Sequence, residues 1–201
     1  MKKEKQKKPL GQEILSWVLT LLSAVVIAMA IRTFIFQPVR VDGRSMEHTL
    51  EDGEIVFTTK FDCGSNWLFW TWQDAEAKEN DSRFTVGGDP KRFDVVICRY
   101  PHRGDTNFVK RVVGLPGDTV ELKDGYLYVN AERYEEPYIT DDYRQHSDFG
   151  PYTVPEGYYF VMGDHRNNSN DSRAQGPITR DMIMGHVRFV LFPFGSMRVV
   201  E

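Results

Sequence analysis

Phe108-Val109-Lys110-Arg111-Val112-Val113-Gly114-Leu115-Pro116-Gly117-Asp118 joins a run of β-forming residues to a turn signal, and its reading decides the fold. As a strand, it places Phe108, Lys110 and Val112 on one face and Val109, Arg111 and Val113 on the other. Two basic residues at consecutive positions then face opposite ways, so one of them is expected to point inward. Leu115-Pro116-Gly117-Asp118 stops the strand, because Pro fixes φ and Gly supplies the conformations other residues avoid.

The same texture extends in both directions from this segment. Short alternating stretches at 54–59, 94–100, 107–113, 119–122, 126–130, 158–162 and 186–192 read as strands, broken by Gly, Pro and Asp. Lys123-Asp124-Gly125 separates two of them as a hairpin signal. Many short strands with regular turns predict a mainly β domain, an antiparallel assembly of barrel or sandwich type.

Upstream the pattern changes. Residues 14–31 carry no charge and consist mostly of Leu, Val, Ile and Ala, with Ser16, Thr20 and Ser23 as small polar interruptions. That length suits a helix crossing a bilayer core, where every backbone amide must be satisfied within the segment. Lys2, Lys3, Lys5, Lys7 and Lys8 precede it, which by the positive-inside bias puts the N-terminus in the cytoplasm. The expected organisation is a basic tail at 1–12, a transmembrane anchor at 13–36 and an extracytoplasmic β-rich domain at 37–201. A cleavable secretory signal is the competing reading, with Ala28-Met29-Ala30 as a small-x-small site, although the apolar character continues to Phe36. Both readings export the body.

The whole chain of 201 residues has net charge −4, but without its first eight residues 20 basic residues face 28 acidic ones, a net −8. Such a body is a poor match for a phosphate backbone, so nucleic acid is not expected as a partner. The basic tail fits anionic membrane lipid instead. Residues 63–88 form an insertion that opens with Trp67, Phe69, Trp70 and Trp72 and then turns polar. It suits a bilayer or partner contact, or packing on the body. Cys63 and Cys98 could pair once outside the cell or stay as separate thiols.

Five scattered histidines offer no i, i+4 pair and no Cys partner, so no metal site is expected. A Ser-His-Asp triad has no Gly-x-Ser-x-Gly elbow to support it. Three segments carry chemistry instead. In Gly43-Arg44-Ser45-Met46-Glu47-His48-Thr49-Leu50 a serine sits in a short turn just beyond the apolar span, where an ordinary role would be an N-cap. In the opening strand, Lys110 has Phe108 and Val112 as neighbours on its face, and desolvation there lowers an amine pKa. Near the unperturbed value of about 10.4 only about one lysine in a few thousand is neutral at pH 7, and each unit of depression raises that fraction about tenfold. A neutral amine can take a proton from a serine hydroxyl. The third segment, Gly163-Asp164-His165-Arg166-Asn167-Asn168-Ser169-Asn170-Asp171-Ser172-Arg173, is a polar loop dense in its own hydrogen bonds.

Together, behind one apolar span, these segments resemble the boxes of the bacterial type I signal peptidases. The resemblance implies that Ser45 attacks the scissile carbonyl and that Lys110 serves as general base and then general acid. It also implies that Ser169 hydrogen-bonds and orients the lysine, that Asp171 and Arg173 form a supporting ion pair, and that Asp164 is a further matched carboxylate. The Ser45 amide would donate into an oxyanion hole. Gly43 stands where some members carry a hydroxyl residue, His48 where Pro is frequent, and His165 where Asn is usual. By the same resemblance the substrates are signal-peptide-bearing preproteins, with no cofactor. The extended substrate would lie along 39–41 and Phe108-Val109, its small side chains near Val41 and Met46. Two rivals remain: a Ser-Lys self-cleaving repressor, which lacks a place for a DNA-binding region here, and a tethered β-domain that only binds.

Overall fold

The computed structural model describes residues 10–34, 36–59, 89–103 and 106–200. It begins with a 25-residue helix, α1 (Leu10–Phe34), about 37 Å long at 1.5 Å per residue and so sufficient for a bilayer core of about 30 Å. None of the stretch Gly11–Ala28 is buried against the body. Three hydroxyls of the stretch Gly11–Ala28 fold back onto the helix backbone, Ser16 Oγ to Glu13 O, Thr20 Oγ1 to Ser16 O and Ser23 Oγ to Thr20 O. These three hydroxyls are therefore not left bare in an apolar medium. The helix runs unbroken through Ala28-Met29-Ala30, and Phe36, expected within the apolar span, opens the first strand.

The body is antiparallel β throughout, as the alternation predicts. Strands β1 (Phe36–Arg40), β2 (Ile55–Thr59), β3 (Val95–Cys98), β4 (Phe108–Gly114), β5 (Thr119–Lys123) and β6 (Tyr126–Val129) come first. They are followed by β7 (Glu132–Tyr134), β8 (Phe149–Thr153), β9 (Tyr158–Met162), β10 (Ile178–Thr179), β11 (Ile183–Phe192) and β12 (Arg198–Val199). The larger sheet has the order β1-β2-β11-β3-β4-β9-β10, with β12 added to β11; the smaller has the order β7-β6-β5-β8. A one-turn helix, α2 (Ser172–Gln175), follows β9.

Five of the described strands lie outside the predicted stretches, the two-residue β10 and β12 among them, and local features account for the other three. β1 contains Pro38 and β8 contains Gly150-Pro151, which argue against a central strand; both lie at sheet edges, where a missing N–H is tolerated. The β5–β6 hairpin turns on Asp124 and Gly125, both at positive φ, as its sequence announces. The β6–β7 hairpin makes the same turn with Asn130 at φ 54° and Ala131 at φ 65°, and an Ala there hides it. β7 therefore went unpredicted.

The strand that opened the sequence reading lies inside the fold, between β3 and β9. One side of the large sheet packs Met46, Leu50, Val56 and Ile97 together, and the other packs Val96, Cys98, Val112 and Val161. A third apolar cluster joins Val113, Phe160 and Met162 to the small sheet through Val120, Leu122 and Leu127. Both faces of β4 are thus covered. The expectation that one of its two basic residues points inward is met by both: Lys110 and Arg111 are each 1% exposed.

The aromatic insertion at 63–88 and the basic residues of the tail lie outside the described residues. Cys98 is a free, fully buried thiol; Cys63 also lies outside them.

Candidate active site

Ser45 sits in the connection between β1 and β2. Gly43 enters it at φ 98°, and its N–H donates to Asp52 Oδ1 at 2.9 Å. A helical turn follows, in which Leu50 N–H donates to Met46 O at 2.7 Å. Met46 and Leu50, four residues apart, plunge into the apolar cluster beneath and pin the turn to the sheet. Ser45 itself is partly exposed.

Lys110 reaches this turn from the middle of β4. Its Nζ lies 2.6 Å from Ser45 Oγ and donates to Val109 O at 3.0 Å. The Phe108 ring lies 5.7 Å away on the same face, as alternation requires. Burial lowers the amine pKa, and it outweighs the opposing influence of Cys98, Asp171 and Asp164, which favours the charged form. The arrangement can therefore hold a neutral amine against a hydroxyl. Such an amine is within reach to accept the hydroxyl proton.

On the opposite face Arg111 is paired. Its Nη2 lies 2.8 Å from Asp164 Oδ2 and its Nε donates to Asp164 Oδ1 at 3.0 Å, while Nη1 donates to Phe93 O at 2.9 Å. The guanidinium also lies 3.7 Å from the centre of the Tyr138 ring. Asp164 additionally accepts from Thr49 Oγ1 at 2.5 Å, so the carboxylate ties the Ser45 turn to β4. Sequence reading matched Asp164 but gave it no partners.

Asp171 is buried at the N-cap of α2. It accepts from Arg173 Nη2 at 2.7 Å, Arg173 Nε at 2.8 Å and Gly163 N–H at 3.0 Å. Burial alone would raise its pKa, but the Arg173 guanidinium and the Gly163 amide together hold it below the usual carboxylate value. Ser169 lies in the same loop with its hydroxyl buried beside Asp171, where it helps hold that carboxylate in its charged form but falls short of good hydrogen-bond geometry. The two hydrogen bonds of Lys110 go to Ser45 and Val109, so the orienting bond from Ser169 implied by the resemblance is not present in this arrangement.

Gly163 is the piece to which sequence reading gave no role. A Cβ there would collide with Ser169 Oγ and Ser45 O and lie 2.7 Å from Ser169 Cβ. Absence of a side chain lets the two loops close on each other. Glu136 was missed as well: wholly buried, it binds both terminal nitrogens of Arg166, whose Nε donates to Gly163 O at 3.1 Å. A Glu before Pro137 carries no signal of such a task. Of the remaining expected contacts, Val41, Met46 and Val109 are buried in the apolar cluster under the turn, Phe108 is half-buried against Tyr100, and Gly43 is exposed.

Comparisons with known proteins place the chain as a whole. The family model described as "Signal peptidase, peptidase S26" matches residues 14–192. Signal peptidase I T of Bacillus subtilis (strain 168) is 39% identical over 97% of this chain and 94% of its own. Signal peptidase I of Bacillus licheniformis is 38% identical over 94% of each, and signal peptidase IB of Staphylococcus aureus (strain COL) 33% identical over 93% and 94%. A solved signal peptidase I from Enterococcus faecalis V583 is 36% identical, covering 51% of this chain and 96% of its own, with a TM-score of 0.42. With most of its length matched at that level of identity, the chain belongs to the signal peptidase family, peptidase S26.

Proposed function

We propose that this chain is a membrane-anchored serine endopeptidase that cleaves signal peptides from preproteins at the outer face of the cytoplasmic membrane, with Ser45 as nucleophile and Lys110 as general base. The observation that carries the residue assignment is the 2.6 Å approach of Lys110 Nζ to Ser45 Oγ, with the amine dry and the hydroxyl at the surface.

In this reading the neutral amine takes the Ser45 proton as Oγ adds to the scissile carbonyl carbon. The Ser45 N–H, which no described residue engages, is free to donate to the oxyanion. The ammonium then returns its proton to the leaving amine, and the signal-peptide half stays as an ester on Ser45. Water, deprotonated by the same amine, attacks that ester and regenerates the hydroxyl. The pairing of β4 with β9 starts at Arg111, so Phe108–Lys110 pairs only with β3, and β1 is an edge strand. An extended substrate can add to such edges through backbone hydrogen bonds.

Anchoring rests on α1, which is apolar and unburied, and orientation rests on the lysines before it. A substrate held in the same membrane presents its junction near the surface where a short link holds Ser45. The test is preprotein processing by the detergent-solubilised chain. Wild type releases the signal peptide, whereas Ser45→Ala and Lys110→Ala do not; cleavage by Lys110→Ala at the wild-type rate refutes the assigned base.

A further inference from the structure

His165 follows Asp164 and caps a short turn, Arg166–Asn168. It grips the nucleophile turn at three places. Its backbone N–H donates to Ser45 O at 3.1 Å. Its ring Nδ1 lies 3.1 Å from Arg44 O and 2.9 Å from Glu47 Oε2. Both ring partners are acceptors, so Nδ1 must carry a hydrogen for either contact to be a bond.

The ring is fixed from its other side. It packs against Tyr143 with centroids 4.1 Å apart and ring planes tilted by 40°. Tyr143 belongs to the turn Asp141–Tyr143, which is tied back to the His165 loop by Asn167 Nδ2 donating to Asp142 O at 2.8 Å. With the ring held, Arg44 O, Ser45 O and Glu47 are held with it, and these flank the nucleophile on both sides. Met46 and Leu50 anchor the turn from below and Thr49 ties its far end to Asp164, while His165 adds the hold at Arg44, Ser45 and Glu47. Catalytic geometry is steep, since a misplacement of about 1 Å can cost about a hundredfold in rate.

We propose that Glu47 and His165 form a side-chain clasp that sets the reach of Ser45 Oγ to Lys110, making both positioning residues for the peptidase reaction; this rests on the reading of Ser45 as nucleophile. The clasp belongs to this chain's own pairing of an acid in the first segment with a histidine in the third. It acts on the rate of acyl transfer and not on substrate capture. The ring itself needs only its Nδ1 donor. An Asn amide places its nitrogen close to where Nδ1 stands and offers two hydrogens for the two acceptors.

The experiment measures kcat and KM on a signal-junction peptide for full-length wild type, Ser45→Ala, His165→Ala, His165→Asn, Glu47→Ala and the Glu47→Ala/His165→Ala double variant, with a thermal unfolding curve for each. Expected are a fall in kcat of about tenfold for either single Ala variant, the size of losing one charge-assisted hydrogen bond, with KM within about twofold. His165→Asn recovers to within about threefold of wild type, and the double variant is no slower than the worse single one. Wild-type kcat in Glu47→Ala or His165→Ala, a loss confined to KM, Asn no better than Ala, or additive losses in the double variant would each overturn the clasp. Should His165→Ala unfold, Glu47→Ala, which leaves the Tyr143 contact intact, decides alone. Ser45→Ala separates the two levels: activity surviving there removes the nucleophile assignment, whereas a dead Ser45→Ala beside an unimpaired Glu47→Ala removes only the clasp.

Discussion

Lys110 and Arg111 are neighbours on one strand and equally buried, yet only Arg111 meets a carboxylate, with its Nη2 2.8 Å from Asp164 Oδ2. Among the described residues Lys110 has a hydroxyl and a carbonyl as its hydrogen-bond partners and no ion pair. A buried amine in such surroundings is better off neutral. The sheet alternation thus sorts two adjacent basic residues into one held in an ion pair and one set against a hydroxyl.

Lys110→Met follows from this contrast. It should abolish cleavage while stabilising the fold by about 1–3 kcal/mol at neutral pH, since an apolar chain of similar length has neither a charge to bury nor a proton to give up on folding. The folded pKa of Lys110 lies below its unfolded value of about 10.4. Below the folded pKa both states bind the proton and the folded state carries the whole penalty. Between the two values the penalty shrinks, and above about pH 10.4 it vanishes. The advantage of Lys110→Met in chemical denaturation should fade accordingly as pH rises, and wild-type kcat/KM should climb about tenfold per pH unit until the folded pKa is passed. An advantage that does not change with pH would contradict the depressed amine.

Gly163→Ala should be more damaging than its single methyl suggests. The new Cβ meets the Ser45 carbonyl and the Ser169 side chain together, and the Ser45 carbonyl cannot rotate away. A loss of more than about a hundredfold in kcat/KM is expected, because the nucleophile turn is pushed off its position. Destabilisation should be about 1–3 kcal/mol, typical of overpacking. Peptide cleavage and thermal unfolding of the same preparation check both numbers.

Removal of residues 1–34 should leave the body folded and able to cut a soluble peptide within a few-fold of the full chain. Residues 11–28 of α1 bury nothing against the body, whereas Phe36–Arg40 pairs with β2 and must be kept. Flotation with anionic vesicles should retain the full chain and lose the truncated one, since about 20 apolar residues supply the insertion energy. Loss of folding on truncation would mean the helix does more than anchor.

How far the sequence carried the reading depends on how local each signal was. The alternation at 108–113 and the Asp124-Gly125 turn depend on neighbours, and both appear in the fold. The Lys110 and Ser45 pair is 65 residues apart and was legible only through resemblance of whole segments, since nothing in a lone Ser or Lys fixes a distance. Burial of Arg111 was illegible because it depends on the small sheet and the chain around Glu136 and Tyr138 covering the far face of β4. The grip of His165 on Glu47 escaped for the same reason: each residue alone is an ordinary polar loop side chain.

Asp171→Asn tests a different part of the site. Asp171 is fully buried and its charge is met by Arg173 on both carboxylate oxygens. Removing the charge strands the guanidinium, and breaking a buried pair this way costs about 3–5 kcal/mol. The folded pKa lies below the unfolded value of about 3.9. Stability from this group is therefore complete above the unfolded pKa and is lost as pH falls through the folded one. The gap between wild type and Asp171→Asn in urea unfolding should be constant from about pH 5 upward and narrow below about pH 4. A gap that stays constant into acid would show that shape rather than charge is what Asp171 contributes.

Cys98 reports on how dry the surroundings of Lys110 are. Its thiol is fully buried, and burial pushes its pKa up to about 12, with the nearby Lys110 amine pulling the other way and Asp171 adding to the rise. The thiolate is the species that reacts, so at pH 8 only about one molecule in ten thousand is competent even before access is considered. In a Cys63→Ser background the folded chain should resist a disulfide-exchange reagent at pH 8 and react at once in denaturant. Labelling under native conditions should then follow the rate of unfolding rather than reagent concentration. Fast, concentration-dependent labelling of the folded chain would mean water reaches this side of β4, and the amine two residues along the same strand face from Phe108 could not be kept neutral by burial.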